Sequence, residues 1–373
     1  MKKKVFIYIS MVIFILSGCT SNMIGDTGSS NNSPTAAIVS TVERPFAIEH
    51  DDSGQIPFNA AAVCYSDEDV LILSNVNQDR IINETRVPPE IRTDGVYKIY
   101  TDSGEYQYYD IKCADEIYRA VPYEDGIIYS YYTPADEKDQ TDTIACRWEI
   151  VYYDGENNHV LDSGFCYGGQ APQLALIENT PVYSCENNKE ESFGATVRKI
   201  ENMQPVTIKD FPGYEHLSIL STNGKDYCFE LYEPTTNKRV ICVGNLEKVY
   251  HEREITDVCN SYGITNNYVV CSIGSETNEI KILGIPLDGK ADISFDQIKR
   301  WYRITGGTGD YCLAVDSGFN LYYIDVENQA VEQVPISDEY RTEWELKSKG
   351  ISSAGKNKFI LCIYEDNFYK LTL

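Results

Sequence analysis

The sequence predicts an all-β protein built from one four-stranded unit used several times. Three observations carry that prediction. Short alternating apolar and polar runs recur between clusters of Gly, Asn and Asp, the pattern of strands and turns. Tyr, which suits pleated half-buried surfaces, occurs 29 times in 373 residues, against 4 Met. A turn-plus-strand segment also recurs at near-regular spacing along most of the chain. With 42% apolar and 24% charged residues, the chain is neither a disordered polymer nor a bundle of membrane helices. Its net charge of −25 excludes nucleic acid and anionic lipid headgroups as partners.

The N-terminus reads as an address. Lys2, Lys3 and Lys4 precede an apolar run from Val5 to Leu16. As a helix that run spans about 18 Å, short of the roughly 30 Å hydrocarbon core, so it is a signal segment and not a spanning helix. The ending Leu16-Ser17-Gly18-Cys19 resembles the lipobox of bacterial lipoproteins. That resemblance implies cleavage after residue 18 and a diacylglyceryl group on Cys19. Two acyl chains suffice for stable anchoring. The implied address is the cell membrane, lipid-anchored and facing outside the cytoplasm. Residues 19–41, rich in Ser, Thr, Asn and Gly, read as the anchored flexible tether. Residues 42–373 read as one folded domain.

The repeat begins with Glu68-Asp69-Val70-Leu71-Ile72 and Asp125-Gly126-Ile127-Ile128-Tyr129. Thr180-Pro181-Val182-Tyr183-Ser184 and Gly224-Lys225-Asp226-Tyr227-Cys228 follow. The last three copies are Asn266-Asn267-Tyr268-Val269-Val270, Gly309-Asp310-Tyr311-Cys312-Leu313 and Asn357-Lys358-Phe359-Ile360-Leu361. Successive copies lie 41–57 residues apart, and periods of about 40–50 with four strands each mark a β-propeller. The sixth unit predicts strands near 301–306, 310–316, 319–326 and 329–334. A short helix is expected near Phe295–Arg300. The chain ends at Asn367–Leu373, a third strand with no fourth after it, whereas Val42–His50 has no partners of its own. Pairing that segment with the last blade closes the ring and removes an exposed edge. On this layout residues 42–373 resemble the seven-bladed β-propeller lipoproteins of bacteria, with four strands per blade. Six or eight blades stay open as alternatives, as does a pair of β-sandwiches. No Trp-Asp blade ending, kelch Gly-Gly series or Asp-box names a family within the propellers. The Asp-Ser-Gly triplets at Asp52, Asp102, Asp162 and Asp316 read as turns.

Chemistry is sparse. No nucleophile elbow, phosphate loop, dinucleotide fingerprint or zincin motif occurs. His50, His159, His216 and His251 are mutually distant and read as surface or turn residues. Eleven cysteines besides Cys19 avoid metal-ligand spacing and sit largely in apolar runs, as core thiols do. The acidic runs Asp51-Asp52, Asp67-Glu68-Asp69 and Asp136–Asp139 read as solvated turns. No metal site and no cofactor is implied.

Loops joining strands two and three share a face with the connections between blades. The long segments Asn75–Asp94, Thr133–Ala145, Ser163–Ala171 and Pro335–Lys349 are all of those two kinds. Long loops in compact folds concentrate function. The candidate binding face therefore comprises Arg86, Arg119, Phe165, Tyr167, Trp301, Arg303, Arg341 and Trp344. Arg119 and Arg303 are expected on first strands, at the mouth of the central channel. The function this predicts is a surface-anchored binding or scaffold module for an envelope or extracellular protein or glycan. The alternative is an extracytoplasmic carbohydrate-active enzyme, a glycosidase or lyase, with acids drawn from several blades.

Overall fold

The computed structural model describes residues 62–372, apart from 68, 77–92, 101–104, 112, 114–116, 118, 168–170, 217–219, 256–257, 275–280, 296–301, 317–319, 335–347, 354–357 and 364–366. The described residues form seven antiparallel sheets, each following chain order. Sheet 1 holds β1 (Ala62–Ser66), β2 (Val70–Val76), β3 (Thr93–Tyr100) and β4 (Tyr106–Tyr109). Sheet 2 holds β5 (Ala120–Tyr123), β6 (Gly126–Pro134), β7 (Cys146–Tyr153) and β8 (Asn158–Cys166). Sheet 3 holds β9 (Gln173–Ile177), β10 (Thr180–Glu186), β11 (Gly194–Glu201) and β12 (Gln204–Pro212). In sheet 4 the first strand is split into β13 (Glu215–His216) and β14 (Ser221–Thr222). Both pair with β15 (Tyr227–Glu233), and β16 (Lys238–Gly244) and β17 (Val249–Ile255) follow. Sheet 5 holds β18 (Cys259–Ile264), β19 (Tyr268–Ile273), β20 (Lys281–Pro286) and β21 (Ile293–Phe295). Sheet 6 holds β22 (Tyr302–Thr308), β23 (Tyr311–Asp316), β24 (Leu321–Asp325) and β25 (Ala330–Gln333). Sheet 7 holds β26 (Ser348–Ser353), β27 (Lys358–Ile363) and β28 (Asn367–Thr372).

All seven repeat segments fall on the second strand of a sheet, and the four strands expected for the sixth unit match β22–β25 within a few residues. The first strands touch in cyclic order. β1 meets β5, β5 meets β9, β9 meets β14, β14 meets β18, β18 meets β22, β22 meets β26, and β26 returns to β1. The sheets therefore close into a ring around the first strands. Bulges fall between first and second strands in sheets 1, 5, 6 and 7, where an extra residue bends the inner strand toward its neighbour. The segment expected to complete the last sheet, Val42–His50, lies outside the described residues. So does the helix expected near Phe295–Arg300, except that Phe295 ends β21.

The core is a set of layers between consecutive sheets. Ile127 faces sheet 1, whereas its neighbour Ile128 faces sheet 3. Val182 and Tyr183, Phe229 and Cys228, and Val270 and Cys271 split in the same way. Successive side chains in a strand point to opposite faces. A second strand covered on both faces is therefore apolar at every position, which is why these runs read without alternation. Each fully buried Val, Ile, Leu or Phe contributes about 1.5–3 kcal/mol. Fourth strands have one open face, and β8, β12 and β17 are exposed along much of their length. Nine of the ten described cysteines are buried, in keeping with core thiols.

Two local readings are corrected. Asp162-Ser163-Gly164 is not a turn but lies inside β8, which runs on to Cys166 and shortens the following connection to residues 167–172. Gly164 is needed there because a Cβ would lie 2.4 Å from the Trp148 ring on the paired strand. His216 is not a surface residue. It is 4% exposed, and its Nε2 shares a 2.8 Å hydrogen bond with Ser184 Oγ.

Candidate functional site

Antiparallel hairpins give the ring two rims. One carries the strand-two-to-three loops and the connections between sheets; the other carries the tight turns between strands one and two. On the first rim, three stretches of described residues are built into each other: residues 135–145, residues 167 and 171–172, and residues 187–193. Asn188 sits at their centre. Its Nδ2 donates to Thr143 O at 2.9 Å and to Glu186 Oε2 at 2.8 Å, and its Oδ1 accepts from Gly194 N at 3.0 Å. Its backbone N–H donates to Phe165 O at 3.1 Å. Thr143 Oγ1 donates to Lys189 O at 2.6 Å, and Tyr167 N donates to Glu186 Oε2 at 2.6 Å. Below them, Trp148 Nε1 donates to Glu186 O at 2.8 Å and Ser130 Oγ to Pro172 O at 2.6 Å. The polar groups of Asn188, Thr143, Glu186, Trp148 and Ser130 are thus paired, as burial requires. The Tyr167 side chain stands on this base, 48% exposed, with its ring edge-on to Phe193 at 6.0 Å.

The other rim is acidic and tight. The turn Glu178-Asn179 has φ of 47° and 66°, the left-handed pair that a type I′ hairpin needs. Neighbouring turns are tied sheet to sheet: Glu178 N donates to Gly224 O at 3.0 Å, Asn223 Nδ2 to Thr265 O at 2.8 Å, and Asn266 N to Gly309 O at 2.7 Å. A cavity of about 320 Å³ opens there, lined by Asp67, Pro122, Tyr123, Glu124, Leu176 and Asn179. The Asp67 carboxylate already accepts from Tyr65 Oη at 2.7 Å and from the N–H of Asp69 and Val70 at 2.8 and 2.6 Å. Burial pushes the carboxyl pKa of Glu215 and Glu230 up. Both lie in sheet 4 and neither lines this cavity, and Glu230 accepts from Arg239 Nη1 at 2.9 Å. Among the described residues, no group of three His, Cys, Asp or Glu side chains is placed to hold a metal ion.

Of the candidate binding residues, Phe165 and Tyr167 are brought together on the first rim, Phe165 half-buried in β8 opposite Arg147. Arg303 is exposed on β22. Arg119 does not open a strand but precedes β5, and its carbonyl accepts from Ser130 N at 3.3 Å. It is half-buried by surface yet enclosed by protein, with Cys64 of sheet 1 and Tyr262 of sheet 5 as electrostatic neighbours. That is the setting of a side chain in a narrow central channel, and desolvation there lowers its pKa. Cys19, Arg86, Trp301, Arg341 and Trp344 lie outside the described residues. Sequence reasoning missed Thr143, Glu186, Asn188 and Phe193. The one local signal was Asn187-Asn188, a turn dipeptide directly after an apolar strand.

No protein-family model matches the chain, and no curated protein does. Among solved structures it is similar to a chain of the mitotic checkpoint complex, at 8% identity over 95% of this chain and 99% of that one, with a TM-score of 0.50. The fold is a β-propeller. BamB from Moraxella catarrhalis is similar over 84% of this chain and 86% of its own, at 9% identity and a TM-score of 0.47. The β-propeller domain of the Trilobed protease from Pyrococcus furiosus is similar over 74% and 84%, at 8% identity and a TM-score of 0.47. At such identities the likeness concerns the propeller fold alone.

Proposed function

We propose that the protein is a lipid-anchored, extracytoplasmic scaffold whose propeller docks an envelope or extracellular protein on the rim of sheets 2 and 3. One observation carries the docking surface. Three loops from two sheets are hydrogen-bonded into a single base that holds an exposed Tyr167 against Phe193. A rigid, pre-ordered aromatic anchor loses little entropy on binding, which is what a docking hot spot needs. The address rests on the lipobox-like ending at Cys19 behind its short apolar run.

Two experiments test this reading. In fractionated cells, Cys19→Ala moves the protein from membrane to soluble fractions with its thermal melt unchanged; a mutant that stays with the membrane refutes the anchor. A photo-crosslinking residue at Tyr167 captures a discrete partner, whereas one at Val206, exposed on β12 of sheet 3, captures none. The same products from both sites refute the rim as the docking surface.

A further inference from the structure

Among the described residues, two pairs of cysteine thiols are hydrogen-bonded to each other, Cys146 with Cys166 and Cys259 with Cys271. Cys146 opens β7 and Cys166 closes β8, and the two are direct partners across the antiparallel ladder. Opposed residues in such a ladder have Cα atoms about 4.5–5.5 Å apart, within the roughly 4.4–6.8 Å that a disulfide spans. The two thiols are hydrogen-bonded to each other. Cys146 is half-buried and Cys166 is 1% exposed, so Cys146 is the more accessible member of the pair. The second pair differs on both counts. Cys259 is opposite Ile273 and Cys271 opposite Tyr262, so the two are not in register, and both are buried.

We propose that Cys146 and Cys166 form a reversible disulfide by exchange with a low-molecular-weight disulfide of the glutathione type. The Cys146 thiolate attacks one sulfur of that disulfide, forming a mixed disulfide and releasing one thiol. Cys166 then loses its proton and attacks the Cys146 sulfur, forming the Cys146–Cys166 bond and releasing the second thiol. Two electrons and two protons leave the protein, and the external disulfide becomes two thiols. The order of attack follows from the setting. The hydrogen bond with Cys146, burial and the Glu186 charge push the Cys166 thiol pKa up, so the resting Cys166 is the resolving and not the attacking group.

The bond would join the stems of two rim loops. Ala145, whose N–H donates to Cys166 O at 3.0 Å, ends the 135–145 loop, and Tyr167 begins the next connection. Oxidation therefore fixes the base under Tyr167 covalently. The inference itself stands on the thiol geometry and not on the docking reading.

The test uses purified protein incubated with oxidised glutathione, denatured, alkylated and digested with trypsin, which cuts after Arg147, and with a Glu-specific protease, which cuts after Glu178, so that Cys146, Cys166 and Cys185 fall on separate peptides. The expected result is loss of two alkylatable thiols, one peptide pair cross-linked through Cys146 and Cys166, and Cys259 and Cys271 still alkylated. Cys166→Ser then accumulates glutathione on Cys146, because the mixed disulfide has no resolving thiol, and Cys146→Ser shows neither adduct nor cross-link. Alkylation of both cysteines after oxidation, a bond from either to Cys185, or glutathione retained on Cys146 in the wild type overturns the proposal. The wild-type peptide map decides it even where a variant fails to fold.

Discussion

Two junctions of the same ring are held together by opposite means. Between sheets 2 and 3 the contact is made by large side chains. Trp148 lies over Gly164 and reaches Glu186 O. Asp162 of β8 accepts from Tyr183 Oη and, at 2.6 Å, from Arg198 Nη1, both in sheet 3. Between sheets 5 and 6 the backbones themselves meet. A Cβ on Gly263 would lie 2.8 Å from Gly306 C and Gly307 N, and one on Gly307 would lie 2.4 Å from Ile264 O. Ile304 N donates to Ser261 Oγ at 2.8 Å, and Asn266 N to Gly309 O at 2.7 Å. One junction is thick and polar at its rim; the other is thin and closed by glycine.

The comparison yields a ranked set of tests, all on the intact chain. Trp148→Ala empties the first junction, and we expect a loss of about 3–5 kcal/mol by denaturant unfolding. A loss under about 1 kcal/mol would show that this junction does not depend on its side chains. The junction between sheets 3 and 4 is sensitive to acid. Burial lowers the His216 pKa to about 4, so the folded state holds the ring neutral while the unfolded state protonates it near its ordinary value. Its stabilising contribution is complete above about pH 6.5 and is lost as pH falls toward 4, up to roughly 3 kcal/mol. The difference in stability between wild type and His216→Leu, followed from pH 7.5 to 4.5, should shrink as pH falls. A constant difference would remove His216 from the acid response.

At the glycine junction, Gly307→Ala drives a methyl into the Ile264 carbonyl and the Cys312 thiol. The expected cost is about 1–3 kcal/mol, read as a lowered melting temperature. Gly155→Ala, at an exposed turn with no atom within 4 Å of the added Cβ, carries only the strain of its φ of 101° and separates crowding from backbone conformation. The smallest effect belongs to the rim. Tyr167→Ala should change stability by less than about 0.5 kcal/mol while removing the Tyr167-dependent partner. A large loss of stability would make Tyr167 a structural residue of the first junction.

Much of the fold was legible before any coordinates. The apolar runs at Ile127, Val182, Tyr227, Tyr268 and Tyr311 are second strands because both of their faces are buried, and a run buried on both faces needs no alternation. The turn at Asn266-Asn267 was legible because its chemistry is local, whereas in the third copy Thr180-Pro181, read as turn residues, lie inside β10 and the turn is Glu178-Asn179. The site was much less so. Tyr167 was placed on the right connection, but Phe165 lies at the end of β8 instead, and Asn188, which organises this rim, looked like an ordinary loop residue. Asp162 was read as a turn because its triplet favours turns, and only pairing with β7 shows it inside a strand.

The sequence by itself determined the strand-and-turn rhythm, the repeat near 48 residues and the all-β class, since each depends on residues within one hairpin. Tertiary structure alone decided which residues meet across strands and sheets. It brought Cys146 opposite Cys166, buried His216 against Ser184, and pressed Gly307 onto Ile264. Such contacts join positions roughly 20–45 residues apart through register, bulges and sheet packing, and a one-residue change in register turns every side chain of a strand to its other face.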